Sequence, residues 1–238
     1  MKLIAKEGIK LIIFPLVCFV IFISLYLILN INANGLRYIF AGFAAIFFIL
    51  FLFSIYFFRD PERQASADKN EIISPADGKI IYAEKIYDDR YLKKDVFKIS
   101  IFMSLFNVHV NRIPISGNVL EIKYNKGKFF SANLDKASLE NEYNAVILEI
   151  DAPCGSDMTK SAYHNNGKTI IAFVQIAGLV ARRIVCKINK GERVVAGARF
   201  GLIKFGSRMD LYLPPDFIAY VKVNDKVYAG KTLIGKVS

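Results

Sequence analysis

Two long apolar stretches near the N-terminus constrain this chain more than anything else in it. Leu11 to Leu29 is interrupted only by Pro15, Cys18 and Ser24, and Tyr38 to Phe58 only by Ser54 and Tyr56. Each is long enough to cross a bilayer, which takes roughly 20 residues. The residues between them, Asn30 to Leu36, leave room only for a short turn. The pattern therefore predicts a two-helix transmembrane hairpin over residues 1–58, with spans at about 11–29 and 38–58. A cleaved signal peptide is the competing reading of the first run, but the run is too long for a signal core and lacks a small-x-small exit.

Lys2, Lys6 and Lys10 precede the hairpin, Arg59 and Arg63 follow it, and the turn region carries only Arg37. By the positive-inside rule both ends, and everything after Phe58, face the cytoplasm. The chain as a whole carries a formal net charge of +11, and about +8 of that lies beyond the hairpin. No zinc knuckle, helix-turn-helix or RNA-binding aromatic motif accompanies this charge, which argues against nucleic acid as the partner. A basic domain tethered to a membrane would instead sit against anionic headgroups. Cys18, Cys154 and Cys186 are odd in number and widely spaced, a pattern of reduced thiols rather than of a disulfide frame or metal site.

Beyond Arg59-Asp60-Pro61-Glu62-Arg63, a charged linker broken by proline, residues 59–238 read as one β-rich domain. Short runs rich in Ile, Val, Phe and Tyr lie at Ile72-Ile73, Lys79 to Glu84, Phe97 to Met103, Asn118 to Tyr124 and Tyr143 to Ile150. Others lie at Lys168 to Ile176, Arg182 to Ile188, Arg199 to Lys204, Asp210 to Leu213 and Ala219 to Val223. Helical turns are expected only over Lys136 to Asn141 and Ser104 to Val108. The segments Lys187 to Gly197 and Val221 to Gly235 share the cadence of lipoyl or biotinyl barrels, a polar turn followed by Val and Ala-Gly. They predict barrel-like hairpins toward the C-terminus, although ordinary hairpins have the same look. The fold class is mainly β.

Few residues are equipped for chemistry. Of the two histidines, His109 lies in Asn107-Val108-His109-Val110-Asn111-Arg112, where Asn107, His109 and Asn111 would share one face of an extended segment. His164 sits in a polar turn. Asp77, in Ser74-Pro75-Ala76-Asp77-Gly78, suits a hairpin turn, yet a carboxylate fixed there could also orient an imidazole. Gly206-Ser207 puts a hydroxyl after a residue without Cβ, within a run that otherwise reads as a tight turn between strands.

These three segments, in this order on a membrane-anchored β-domain, resemble phosphatidylserine decarboxylase of the short prokaryotic type, from about Phe58 to the C-terminus. The resemblance implies a proenzyme cut between Gly206 and Ser207 into chains 1–206 and 207–238. Ser207 would attack the Gly206 carbonyl with His109 as base and Asp77 holding the imidazole. A covalent pyruvoyl group formed from Ser207 would then be the cofactor, with no pyridoxal phosphate and no metal. It would decarboxylate phosphatidylserine to phosphatidylethanolamine through a Schiff base, and His109 would return the proton. Longer family members carry a second histidine where this chain has Arg112, so Arg112, with Asn111, becomes a candidate substrate-binding residue. Phe205 stands where many relatives have leucine or valine. The implied location is the inner membrane, with the two cleaved chains as a heterodimer and higher oligomers left open.

Three alternatives stand beside this reading. A sibling decarboxylase would act on another serine-headgroup lipid, such as an ether-linked archaeal one. A lipoyl-like carrier would use Lys136 in Asp135-Lys136-Ala137, and a membrane-bound serine peptidase would use Asp77, His109 and Ser207 in an uncut chain.

Overall fold

The computed structural model describes residues 4–28, 34–64, 66–127, 140–151, 164–165, 168–178, 183–204 and 206–237. The chain divides into two compact units, Met1–Glu62 and Arg63–Ser238. The division falls a few residues beyond the hairpin end expected at Phe58.

In the first unit a 3-10 turn, Lys6–Gly8, leads into α1 (Ile9–Ile28), and α2 is Asn34–Phe57. Both spans, Lys6–Ile28 and Gly35–Phe57, have 23 residues and are long and apolar enough to cross a membrane. At 1.5 Å per residue each covers the hydrocarbon thickness of about 30 Å. The helices pack through aromatic rings: Phe22 stacks on Phe43 and Phe47 at 5.1 and 5.5 Å, and Phe19 meets Phe48 at 5.2 Å. The two ends of this unit are tied together, because the Ala5 N–H donates to the Phe58 carbonyl (2.8 Å) and Ile4 bridges Arg59. Gly8 makes that closure possible, since a Cβ there would lie 2.1 Å from the Phe58 ring.

Among the described residues the second unit is built mainly of β-strands. Its strands are β1 (Glu71–Ile73), β2 (Gly78–Asp88), β3 (Lys94–Met103), β4 (Val110–Arg112), β5 (Gly117–Asn125), β6 (Tyr143–Asp151), β7 (His164–Asn165) and β8 (Lys168–Ala177). They continue with β9 (Ile184–Cys186), β10 (Arg193–Val194), β11 (Arg199–Ile203), β12 (Ser207–Leu213), β13 (Ile218–Ala219), β14 (Lys226–Val227) and β15 (Leu233–Lys236). The large antiparallel sheet runs β10-β5-β6-β8-β12-β3-β2-β14, with β7 beside β8. Two small sheets run β1-β15-β13 and β4-β11-β9.

That order contains a two-fold repeat. Reading outward from the β8–β12 pair, β12-β3-β2-β14 repeats β8-β6-β5-β10, and β1-β15-β13 repeats β4-β11-β9. Details agree down to single residues. Gly78 and Gly117 each open a strand, with a Cβ position 2.2 and 2.4 Å from a carbonyl of the neighbouring strand. Both strands slip register at the same place, after Ile80 and after Val119. The two copies also exchange reciprocal bonds, from the Ile73 N–H to the Pro114 carbonyl and from the Arg112 N–H to the Pro75 carbonyl, both 2.9 Å. The two cadence segments are the repeat's edge pieces: β10 pairs with β5 and β14 with β2, so they cap opposite edges of one sheet.

The main core, including Ile99, Ile101, Met103, Phe173, Phe200, Met209 and Leu211, fills one face of the large sheet. Two strands extend beyond the sequence expectation, while the run expected at Ala219 to Val223 is a strand only at Ala219, where β13 ends. β2 runs on to Asp88, whose carboxylate accepts from the N–H groups of Arg90, Tyr91 and Leu92 and closes a polar hairpin that apolar patterning does not reveal. β12 begins at Ser207 rather than Asp210, because buried Arg208 is neutralised by Asp210 (2.6 Å) and held by Ser100 (2.8 Å). Residues 104–108 form turns, and most of the expected helical segment at 136–141, with Lys136 and Cys154, lies outside the described residues.

On the opposite face Tyr91 packs against Tyr143 and Tyr212, with ring centroids 5.7 and 5.1 Å away. Burial, reinforced by the negative charge of Asp210, pushes both the Tyr91 and Tyr212 phenols well above their ordinary value. Above pH ~10 an unfolded chain releases phenolic protons that the fold retains, so stability falls as pH rises. Tyr91→Phe removes a buried hydroxyl that has no hydrogen-bond partner among the described residues. Denaturation at pH 7 and pH 10.5 is expected to show Tyr91→Phe at least as stable as wild type at pH 7, and to lose less on going alkaline.

Candidate active site

Ser207 opens β12 at the centre of the large sheet, opposite Met103 of β3 on one side and Ala177 of β8 on the other. The side chain is fully buried, and its hydroxyl donates to Met103 Sδ at 3.2 Å. A thioether is a weak acceptor, so the hydroxyl is held without being spent on a strong bond. Gly206, just before it, has φ +54°, while a Cβ there would meet nothing within 4 Å. Glycine is favoured here by the left-handed backbone, which costs other residues about 1–2 kcal/mol, and not by crowding. Phe205 lies outside the described residues.

His109 leads into β4 and is fully buried. Its carbonyl accepts from the Ile203 N–H (3.4 Å), which attaches it to β11, the strand whose continuation reaches Gly206-Ser207. Its Nδ1 lies 2.9 Å from the Asn107 carbonyl. A carbonyl only accepts, so Nδ1 carries the hydrogen and Nε2 is left as the basic nitrogen. The expected shared face of Asn107, His109 and Asn111 does not extend to Asn107. Its Oδ1 accepts from the Ser104 N–H and hydroxyl, both 2.8 Å, and closes the turn after β3.

Asp77 was expected to hold the imidazole, but the Asn107 carbonyl takes that position. Both Asp77 oxygens are engaged elsewhere: Arg63 grips them with its two Nη groups, and the Ala229 N–H donates to Oδ1 at 2.8 Å. Arg63 also donates to the Ala229 carbonyl (2.8 Å), so Asp77, Arg63 and the 228–230 turn form one closed unit. Nothing in the residue pattern singled out Arg63 beyond its place in a charged linker.

Arg112 is buried, donates to the Gly197 carbonyl (2.9 Å) and presses its Cδ to 2.8 Å from where Gly230 would carry a Cβ. It therefore braces the two related glycine turns rather than standing open to a ligand. Asn111 is also fully buried. Its Nδ2 donates to Met103 Sδ (3.8 Å), and its Oδ1 accepts from Gln175 Nε2 (2.9 Å). Gln175 in turn accepts from Asn144 Nδ2 at 3.1 Å. A single amide inside the apolar run Ile170 to Ile176 was the available sign of Gln175. His164 falls in β7, and its side chain lies outside the described residues. No metal-binding cluster of His, Cys, Asp or Glu occurs among the described residues.

A family model described as phosphatidylserine decarboxylase matches residues 50–235, from within α2 to the last strand. The chain belongs to the phosphatidylserine decarboxylase family. Phosphatidylserine decarboxylase proenzymes are similar over most of its length. That of Pelobacter propionicus is 46% identical over 196 residues, covering 82% of both chains. That of Desulfotalea psychrophila is 47% identical, covering 81% of this chain and 83% of its own, and that of Geobacter metallireducens is 47% identical, covering 81% and 82%. As a member of the family the chain is a decarboxylase of phospholipid synthesis, made as a proenzyme.

The Arg63–Asp77 pair is nearly closed to solvent, with side chains 8% and 5% exposed. Removing one partner of such a pair leaves a buried charge, which costs about 3–5 kcal/mol. Arg63→Ala is expected to lower stability by that order in chemical denaturation. Arg63→Lys recovers only part of it, because a single ammonium cannot grip both carboxylate oxygens and the Ala229 carbonyl.

Proposed function

We propose that the chain decarboxylates phosphatidylserine to phosphatidylethanolamine, using a pyruvoyl group that it makes from Ser207 by cutting itself between Gly206 and Ser207. The observation that carries this is the pairing of a left-handed Gly206, open on its Cβ side, with a buried Ser207 hydroxyl resting on a thioether. The residues present suit the group, because it would form in place at the head of a strand fixed on both sides.

In self-cleavage the Ser207 hydroxyl gives its proton to a base as Oγ bonds to the Gly206 carbonyl carbon. The Gly206–Ser207 C–N bond breaks and the nitrogen takes up a proton, leaving an ester. Loss of the Cα proton then expels the Gly206 carboxylate from Cβ, and water replaces the nitrogen as ammonia. His109 is the base in this reading, with Nε2 kept basic by the bond from Nδ1 to the Asn107 carbonyl. Asp77 acts at a distance, holding the 228–230 turn and Arg63. The new ketone supplies an acceptor for the serine amine and an electron sink for the pair released as carbon dioxide leaves. His109 then returns a proton to the headgroup carbon.

The apolar hairpin would anchor the domain in the cell membrane where the lipid resides, with the catalytic unit on the cytoplasmic side as the lysine distribution suggests. A serine headgroup on ether-linked tails presents the same amine and carboxylate, and assays with both tails separate the two substrates.

Wild-type protein expressed in full is expected to resolve into chains 1–206 and 207–238, the smaller with a blocked, ketone-bearing N-terminus by mass spectrometry. Ser207→Ala should remain one chain and release no carbon dioxide from phosphatidylserine. His109→Ala should slow cleavage by about 10²-fold or more. An uncut wild-type chain that still decarboxylates would overturn the proposal, and a normally cleaving His109→Ala would remove the histidine from the cleavage step.

A further inference from the structure

The internal repeat supplies a control for every buried side chain near Ser207. Asn144 and Gln175 face each other across β6 and β8, and Asn111 lies opposite Gly201 across β4 and β11. In the other copy the same positions are Phe97 and Leu213 across β3 and β12, and Ile72 and Gly235 across β1 and β15. Ile72 and Leu213 belong to the main core, and Phe97 packs against it. One fold position is thus filled by three apolar side chains in one copy and by three amides in the other. The architecture accepts hydrocarbon there, so packing alone does not account for the amides.

The amides form a chain with one direction. Asn144 Nδ2 donates to Gln175 Oε1, Gln175 Nε2 donates to Asn111 Oδ1, and Asn111 Nδ2 therefore faces Met103 Sδ. Asn111 and Gln175 are fully buried and Asn144 is 3% exposed. Turning Asn144 or Gln175 over would place oxygen against oxygen, and turning Asn111 over would place N–H against N–H, so each fixes the next. Gly201 leaves the room for this, since a Cβ there would lie 2.9 Å from Gln175 Nε2. At the end of the chain, Asn111 Nδ2 and Ser207 Oγ both lie within 4 Å of one sulphur. Neither loses much by leaving so weak an acceptor.

We infer that Asn111 is a hydrogen-bond donor for Ser207 Oγ during self-cleavage, and that Gln175 and Asn144 are positioning residues that keep its N–H aimed there. The inference rests on the proposed conversion of Ser207. Its step is the one in which the Cβ–Oγ bond breaks and the electron pair leaves on Oγ with the Gly206 carboxylate, while the Cα proton goes to the base. An N–H directed at Oγ stabilises that charge in a site closed to water.

Asn111→Asp tests it on the full-length protein. The aspartate can still accept from Gln175, so the network stays connected, but no N–H reaches the Ser207 site. The rate at which chain 207–238 appears after a synthesis pulse is expected to fall at least about tenfold, with the melting temperature close to that of wild type. Gln175→Glu should produce a similar loss, because its second oxygen forces the Asn111 amide to turn over. Gln175→Leu, which frees that amide to rotate, decides by the same comparison if Asn111→Asp does not fold. Cleavage at the wild-type rate in the folded variants overturns the inference, as does slowing that merely tracks lost thermal stability in each. If wild type itself does not cleave at Gly206–Ser207, it is the underlying reading of Ser207 that fails, and Ser207→Ala alongside identifies that case.

Discussion

The pairing of β12 between β3 and β8 is the interaction on which the rest of this domain depends. The strand is buried over its whole length, so each of its side chains is committed to one face or the other. Ser207, Met209, Leu211 and Leu213 fall on the core face, and Arg208, Asp210 and Tyr212 on the other. A slip of one residue would turn the arginine and aspartate into the hydrocarbon core and bring Ser207 out of it. The Arg208–Asp210–Ser100 cluster therefore acts as a register lock, placing the hydroxyl beside Met103 as a by-product of satisfying a buried charge.

The repeat explains how one sheet can be both a rigid scaffold and a site. Two copies related about the β8–β12 pair give a symmetric frame, held by the reciprocal bonds at Pro75 and Pro114. The proposed chemistry falls where the copies differ. Ser207 and Asp77 come from one copy, His109 and the amide chain from the other, and Arg112 braces a glycine turn of each. The proposed site, assembled across the repeat axis, needs both copies in register, and neither copy carries all of it alone.

Much of this was legible in the sequence. The hairpin followed from sustained hydrophobicity and the strands from short β-branched and aromatic runs, and His109 stood out by rarity, whereas Asp77, Gly206 and Ser207 were singled out only through the family resemblance. What stayed hidden was pairing between distant segments. The segments Lys187 to Gly197 and Val221 to Gly235 read as similar barrel-like hairpins because their turns look alike, yet topology sends their strands β10 and β14 to opposite edges of the sheet. Asn111 read as a ligand-facing side chain because it is polar, whereas its partner Gln175 is 64 residues away in sequence. The Asp77 carboxylate fitted an imidazole on paper, but a nearer cation, Arg63, takes both its oxygens.

The turn at Asp77 makes the same point in electrostatic terms. Its counterpart in the other copy is Ser116, whose hydroxyl accepts from the Ala196 N–H at 2.9 Å just as Asp77 accepts from the Ala229 N–H at 2.8 Å. A neutral oxygen is therefore enough to close the turn, and the charge at Asp77 answers to something else. Arg63 is that something: it stands at the very start of the catalytic unit, immediately after the linker from the hairpin. An ion pair there fastens the first residue of the domain to the turn that packs against Arg112, and so to β4, which carries Asn111 and follows directly on His109. The sequence places a charge where the fold needs only a hydrogen-bond acceptor, and the structure connects that charge to Arg63, the first residue of the β unit.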